Sequence, residues 1–234
     1  MAIDFPDTGS QEYVACGTGP TSQGGDVSVV FWMKADTIQY QIPVDKLPQS
    51  GETGWTVKLR NNGDIWFRIG AESGGHHTLV SSGGTAYSIG EWVCFVCRFN
   101  NSTKAMHIFK NGAQIAGPLT ATGRVMNSPS IPFWIGCSST AVTGEKFNGI
   151  IAEVRLYDRP LTLNEIASIA TMNGADGVVS GRIGGWRMIE EAPGTAPSGA
   201  DSVKDSSGRY DGTPGGTSSY SESAHLNRRK RRAA

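Results

Sequence analysis

Four cysteines in 234 residues, Cys16, Cys94, Cys97 and Cys137, are too few for a disulfide framework in a chain of this length. The tempting pair, Cys94 and Cys97, lies in EWVCFVCRF, whose β-branched and aromatic residues read as a strand. With a side-chain period of two, positions three apart point to opposite faces, which excludes a zinc site or a redox pair there. Histidine is equally scarce: His76, His77, His107 and His225 are the whole set, and none stands at metal-ligand spacing. No run approaches the roughly 18 apolar residues of a membrane helix. The opening residues, MAIDFPDTGSQEY, carry neither a basic nor an apolar leader region, so no export signal is expected and no membrane partner is implied.

What remains is a turn-rich globular composition, with 38% hydrophobic residues, 18% charged residues and 31 glycines. The length suits one large all-β domain. Formal net charge is zero, but it is unevenly placed. Arg228, Arg229, Lys230, Arg231 and Arg232 form one block near the end. Without them 16 Lys and Arg face 21 Asp and Glu, so the rest of the chain carries about −5. These five residues are read as a docking arm for an acidic protein surface, with nucleic acid the less favoured partner because so short an arm gives only non-specific, salt-labile attachment.

Alternation dominates the patterning. In DVSVVFWMKAD, Val29, Phe31, Met33 and Ala35 share one face, and Ser28, Val30, Trp32 and Lys34 the other. EWVCFVCRF is apolar on both faces, as a central strand covered on both sides would be. Asn62-Gly63 and Asn111-Gly112 each signal a two-residue hairpin turn. From 150 to 157, Ile150, Ala152, Val154 and Leu156 are expected on a dry face, with Ile151, Glu153, Arg155 and Tyr157 on a mostly polar one. One helix is expected over residues 162–173: Thr162 caps it with Glu165 three residues on, Ile166, Ile169 and Ala170 form its apolar stripe, and Gly174 ends it. Many short strands with one late helix imply an all-β fold, an antiparallel β-sandwich or jelly roll.

KFNGIIAEVRLYDRPLTLNEIASI resembles the closing signature of the laminin-G-like, concanavalin A-like jelly rolls, through Phe147, Gly149, Ile151, Glu153, Val154, Arg155, Tyr157, Arg159 and Leu161. GEWVCFVCRFNNSTKAMHIFKNGAQIAG is similar to the family's Gly-x-Trp strand and hairpin. Family members often begin with a tryptophan strand followed by D-S-S-G-x-x-x-D-G-T. Here that segment stands at the other end, as GRIGGWRMIEE and DSSGRYDGT, so the order looks circularly permuted. Residues 1–213 are accordingly read as a single domain, with 182–213 supplying a terminal strand and loop, and 214–234 as linker and basic arm.

The resemblance implies no catalysis here. Glycosidases of this fold carry E-x-D-x-E along one strand, because an acid and a nucleophile must flank a single bond, and no such triplet occurs. Glu153 is expected as an ion-pair partner of a nearby arginine. No cofactor is called for. Calcium, which such jelly rolls often bind through loop carboxylates, would draw on Asp205, Asp211 and Asp64, although D-x-D-x-D spacing is absent. Glycan binding would need exposed aromatics beside polar groups, for which Trp55, Trp66, Tyr87 and Tyr40 are the candidates. The sandwich with a basic arm is similar to small laminin-G-like proteins of bacteriophages. The first expectation is therefore a non-enzymatic virion accessory protein (capsid decoration, fibre or adhesion) that binds other virion proteins or copies of itself. The alternative is a carbohydrate-binding module.

Overall fold

A computed structural model describes residues 2–9, 11–19, 21, 25–47, 54–70, 75–84, 86–122, 131–138, 145–172 and 175–221. Two antiparallel sheets face each other. The first runs, in spatial order, β10 (Ala113–Thr120), β9 (Ala105–Lys110), β8 (Trp92–Asn100), β3 (Val27–Ala35), β12 (Gly149–Tyr157), β1 (Ala2–Phe5) and β15 (Ser219–Ser221), with β13 (Arg182–Trp186) also paired to β12. The second runs β14 (Thr213–Gly215), β2 (Tyr13–Ala15), β11 (Trp134–Ile135), β4 (Gln41–Lys46), β5 (Trp55–Leu59), β6 (Ile65–Gly70) and β7 (His76–Val80).

The expected face patterns of β3 and β8 are those observed. Val29, Phe31, Met33 and Ala35, together with Val93, Phe95, Cys97 and Phe99, point into the core between the sheets. Val30, Trp32, Cys94 and Val96 point to the opposite side, into a second cluster closed by Ile166 and Ile169 of the helix α1 (Leu163–Met172). Cys94 and Cys97 thus occupy different layers, and all four cysteines are buried free thiols. The helix starts where its capping box does: Thr162 N–H donates to Glu165 Oε2 at 2.8 Å and Glu165 N–H to Thr162 Oγ1 at 3.3 Å. Gly174 lies outside the described residues.

Strand β12 departs from simple alternation. Ile150 and Ala152 face the helix side, yet Val154 and Leu156 face the inter-sheet core. The phase slips at Glu153, whose φ is +49°, where the register with β3 also breaks, so the strand bulges by one residue. Every residue of β12 is buried, which corrects the expectation of one dry and one polar face. The bulge also divides one edge of the strand. Ile151, Ile150 and Gly149 pair with β1, whereas Val154 to Tyr157 pair with β13. The first strand of the chain and a strand from its C-terminal third therefore share the same edge of β12.

The two Asn-Gly turns differ. Asn111 and Gly112, at φ +50° and +87°, form the expected two-residue turn between Lys110 and Ala113. The turn at Asn62-Gly63 is one residue longer: Gly63 N–H donates to Arg60 O, and Arg60 N–H closes the loop on Asp64 O. Gly63 stands there at φ +81°, and a Cβ would meet Gly84 O at 2.6 Å, so only glycine fits. Residues 214–221, expected as linker, instead form β14 on β2 and β15 on β1, because Tyr220 is an apolar anchor buried in the core.

The D-S-S-G-R-Y-D-G-T segment is tied to β13 by hydrogen bonds. Asp205 Oδ1 accepts from Gly185 N–H at 2.7 Å, and Trp186 Nε1 donates to Tyr210 O at 2.8 Å, with the Trp186 ring buried against Phe133. Truncation after Gly174 removes β13, β14, β15 and the Trp186 anchor, and should abolish cooperative unfolding in a thermal melt; an unchanged midpoint would refute the role given to these strands. The cap carries its own pH signature. Arg159, backed by Thr162, holds the Glu165 carboxyl down at about 2. A depressed carboxylate adds stability above its unfolded pKa and loses it as pH falls through the folded value. Glu165→Gln should therefore cost about 1 kcal/mol at neutral pH, and the difference from wild type should vanish between pH 4.5 and about 2 in parallel melts.

Candidate functional site

The second sheet keeps Val57, Leu59, Ile65, Phe67 and Ile69 inward. Alternation then sends Thr56, Lys58, Trp66, Arg68, Thr78 and Val80 outward, and register lines them up: Asp45 opposes Thr56, Thr56 opposes Arg68, and Arg68 opposes Thr78. In the neighbouring row Lys58 opposes Trp66, and Trp66 opposes Val80. Toward the other edge, Tyr13 packs on Trp134 with ring centroids 4.3 Å apart. The outward face is thus a band of aromatic and polar side chains.

Trp66 is its centre. The guanidinium of Arg60 lies 4.6 Å from the Trp66 ring centroid and that of Arg68 5.5 Å. Arg68 Nε donates to Thr78 Oγ1 at 3.3 Å. Lys58 is paired with Glu145 and sits 5.1 Å from the Tyr40 ring. Partial burial, followed by the charges of Arg68 and His77, pushes the His76 imidazole below its ordinary value. The local field is positive, on a chain whose residues 1–227 sum to about −5.

The four aromatic candidates separate into two pairs. Tyr40 is 38% exposed and Trp66 is partly exposed, both on this face. Trp55 and Tyr87 are not available to a ligand: each is 2% exposed. Trp55 points inward because it alternates in phase with Val57 and Leu59, and it packs on Phe133 at 5.6 Å. Tyr87 closes the core beside the hairpin, donating its hydroxyl to Arg60 O, and burial pushes the phenol up to about 12. Arg60, Arg68, Tyr13 and Trp134 were not singled out from sequence. Their parity against Leu59, Ile65, Phe67, Val14 and Ile135 was the signal that could have found them.

The three candidate calcium carboxylates do not fit a cation. Asp205 accepts from the N–H groups of Gly185 and Ser207 and from the Ser207 hydroxyl. Asp211 accepts from Asp205 N–H and Lys204 Nζ. Asp64 accepts from Gly84 N–H, Ser81 Oγ and Asn62 Nδ2. Each carboxylate is thus taken up by donors, and among the described residues no three His, Cys, Asp or Glu side chains converge. The basic block Arg228, Arg229, Lys230, Arg231 and Arg232 lies outside the described residues.

A cleft of about 270 Å³ beside β12 and β13 holds a cluster of buried charges. Arg155 gives one Nη nitrogen to both oxygens of Asp176, each at 2.9 Å, and the other to Glu153 at 3.4 Å. Burial opposes the Arg155 charge, but Asp176, Tyr157 and Glu153 outweigh it and raise its pKa. Glu153 is also approached by Arg187 at 3.7 Å. The expected arginine partnership of Glu153 is therefore present, and the two acids are engaged in neutralising cations, not set apart as acid and nucleophile.

A family model of the concanavalin A-like lectin/glucanases superfamily, of laminin G type, matches residues 8–167. The chain belongs to this superfamily. No curated protein matches it in sequence. Among solved structures, a Bacteroides ovatus protein described as a candidate carbohydrate-binding protein superposes with a TM-score of 0.65 at 17% identity, covering 95% of this chain, which spans 60% of that one. The heptameric SAP-like pentraxin of Limulus polyphemus gives a TM-score of 0.57 at 13% identity over 77% of this chain and 87% of its own. The CBM40 module of the Ruminococcus gnavus IT-sialidase, bound to α2,3-sialyllactose, gives 0.52 at 14% over 62% and 82%. At these identities the likeness is one of fold.

The different surroundings of two tryptophans set up a direct comparison. Trp55→Ala should cost about 3–5 kcal/mol in chemical denaturation, because it empties part of the core. Trp66→Ala should cost about 1 kcal/mol or less, as expected for a side chain outside the core; equal costs would overturn the assignment of Trp66 to the outward face.

Proposed function

We propose that the chain is a non-catalytic carbohydrate-binding module that uses the outward face of its second sheet. The observation that carries this reading is the grouping of Trp66 and Tyr40 with Arg60, Arg68, Lys58 and Thr78 on that face. Sugars offer apolar C–H faces that pack on aromatic rings and hydroxyls that pair with charged side chains, and this face supplies both. Two solved neighbours support it: the Bacteroides ovatus protein is described as a candidate carbohydrate binder, and the CBM40 module holds sialyllactose. Enzymatic activity is disfavoured because the carboxylates of the cleft beside β12 and β13, Glu153 and Asp176, are both bound to Arg155.

The virion reading, with partners among other virion proteins or copies of the chain, rests on the basic block at 228–232 and on likeness to small bacteriophage proteins. No described residue adds to it. The glycan reading draws on residues whose contacts are in view and is preferred for that reason. On a glycan array, the full chain should give reproducible hits that Trp66→Ala reduces at least about tenfold at unchanged melting temperature. An array without hits, or hits indifferent to Trp66→Ala, would remove the proposal.

A further inference from the structure

We infer that the sugar taken by this face is acidic, with a carboxylate or sulfate held by Arg60 and Arg68 beside Trp66. This rests on the carbohydrate-binding reading and narrows it to one ligand class.

The face carries cationic charge with no ion-pair partner among the described residues. The other cations near this face are matched: Lys58 is paired with Glu145, and Lys146 with Asp7. Arg60 and Arg68 form no ion pair among the described residues, although the Glu145 charge reaches Arg68 from beyond contact distance. Among the described residues the Arg60 guanidinium makes no hydrogen bond and lies on the Trp66 ring, while Arg68 donates through its Nε to Thr78. Their Nη groups are the donors that bind carboxylate or sulfate in pairs. Two aspartates of the same sheet are engaged elsewhere, Asp64 on Gly84 and Asn62, and Asp45 with Ser138.

Geometry brings the two arginines to one ring from different elements. Arg68 stands two residues beyond Trp66 on β6, while Arg60 follows β5 at the hairpin, and both guanidinium groups lie within 6 Å of the Trp66 centroid. Two like charges gathered on one ring repel, and the aromatic face offsets only part of that. An anion beside the ring reduces the repulsion and gains charge-assisted hydrogen bonds. A neutral sugar would leave both guanidinium groups without an ion-pair partner among the described residues. Tyr40, 38% exposed beside Lys58, extends the face for a second ring of the oligosaccharide.

The test is calorimetric titration of the full chain with three probes: a glucuronate-containing oligosaccharide, a sulfated oligosaccharide, and a carboxyl-reduced, desulfated counterpart of equal length. At least one acidic probe should bind about tenfold or more tightly than the neutral one, and the two acidic arms tell carboxylate from sulfate. Arg60→Gln with Arg68→Gln should abolish that preference, and Arg68→Gln alone should weaken it by about tenfold should the double variant not fold. Lys58→Gln, whose charge Glu145 already matches, should change it less. Equal binding of acidic and neutral probes would overturn the inference while leaving the carbohydrate reading intact. Acidic binding that persists in folded arginine variants would overturn it too, assigning the anion to another basic segment such as residues 228–232. Failure of all three probes would overturn the inference, and the glycan array then decides the carbohydrate reading.

Discussion

The bulge at Glu153 is the constraint on which the rest of the sandwich turns. A regular nine-residue strand would present one edge to one partner and keep its odd and even residues on fixed faces. By holding Glu153 at φ +49°, β12 exchanges its faces halfway and offers two successive half-edges, one to β1 and one to β13. The exchange lets Ile151, Val154 and Leu156 all reach the inter-sheet core, while Ala152 and Tyr157 reach the layer under the helix. Backbone in this region of φ is unfavourable for a side chain such as glutamate, so something must hold it. Arg155 and Arg187 do: both approach the Glu153 carboxylate, and Arg155 also pairs with Asp176, which binds the segment after the helix to the same strand. The buried ions are thus better explained by topology than by chemistry on a substrate.

This also accounts for the closing signature in physical terms. Phe147 and Ile151 are core residues. Gly149 is needed because a Cβ would meet Lys34 O at 2.2 Å where β12 crosses onto β3. Tyr157 donates to Val178 O, and Arg159 clasps Glu165 with both Nη nitrogens, fixing the helix to the strand end. Each position of the motif therefore serves assembly. Ligand recognition has to be sought elsewhere on the fold, on a surface the motif does not build.

How far the sequence could be read follows from which interactions are local. The two-faced strands β3 and β8, the opposite orientation of Cys94 and Cys97 and the capping box of Thr162 and Glu165 depend on period and near neighbours, and were legible. The Glu153 bulge was not, since it answers to the packing of β1 and β13, distant in sequence. Burial of Trp55 and Tyr87 was misjudged because proximity to a loop says nothing about parity: Trp55 shares its phase with Val57 and Leu59, and that phase points inward. The strands within 214–221 escaped notice because a Gly- and Ser-rich composition reads as linker, while their place in the sheets depends on partners at the opposite end of the chain.

The same parity rule explains how one hairpin serves two ends. In β5 and β6 the inward residues Trp55, Val57, Leu59, Ile65, Phe67 and Ile69 are packed in the core, so their identities are set by volume. Their outward neighbours carry no such requirement and are free to hold charge. Arg68, partly buried, has its pKa drawn down by that burial, and the Glu145 charge opposes the shift. Gly63 shapes the turn that returns the chain so that Trp66 of β6 comes back beside Arg60, just beyond β5. A register slip of one residue would turn Trp66 and Arg68 into the core together, which the six inward apolar side chains forbid. The core thus fixes the orientation of the candidate site, and the site can vary in charge without cost to the core.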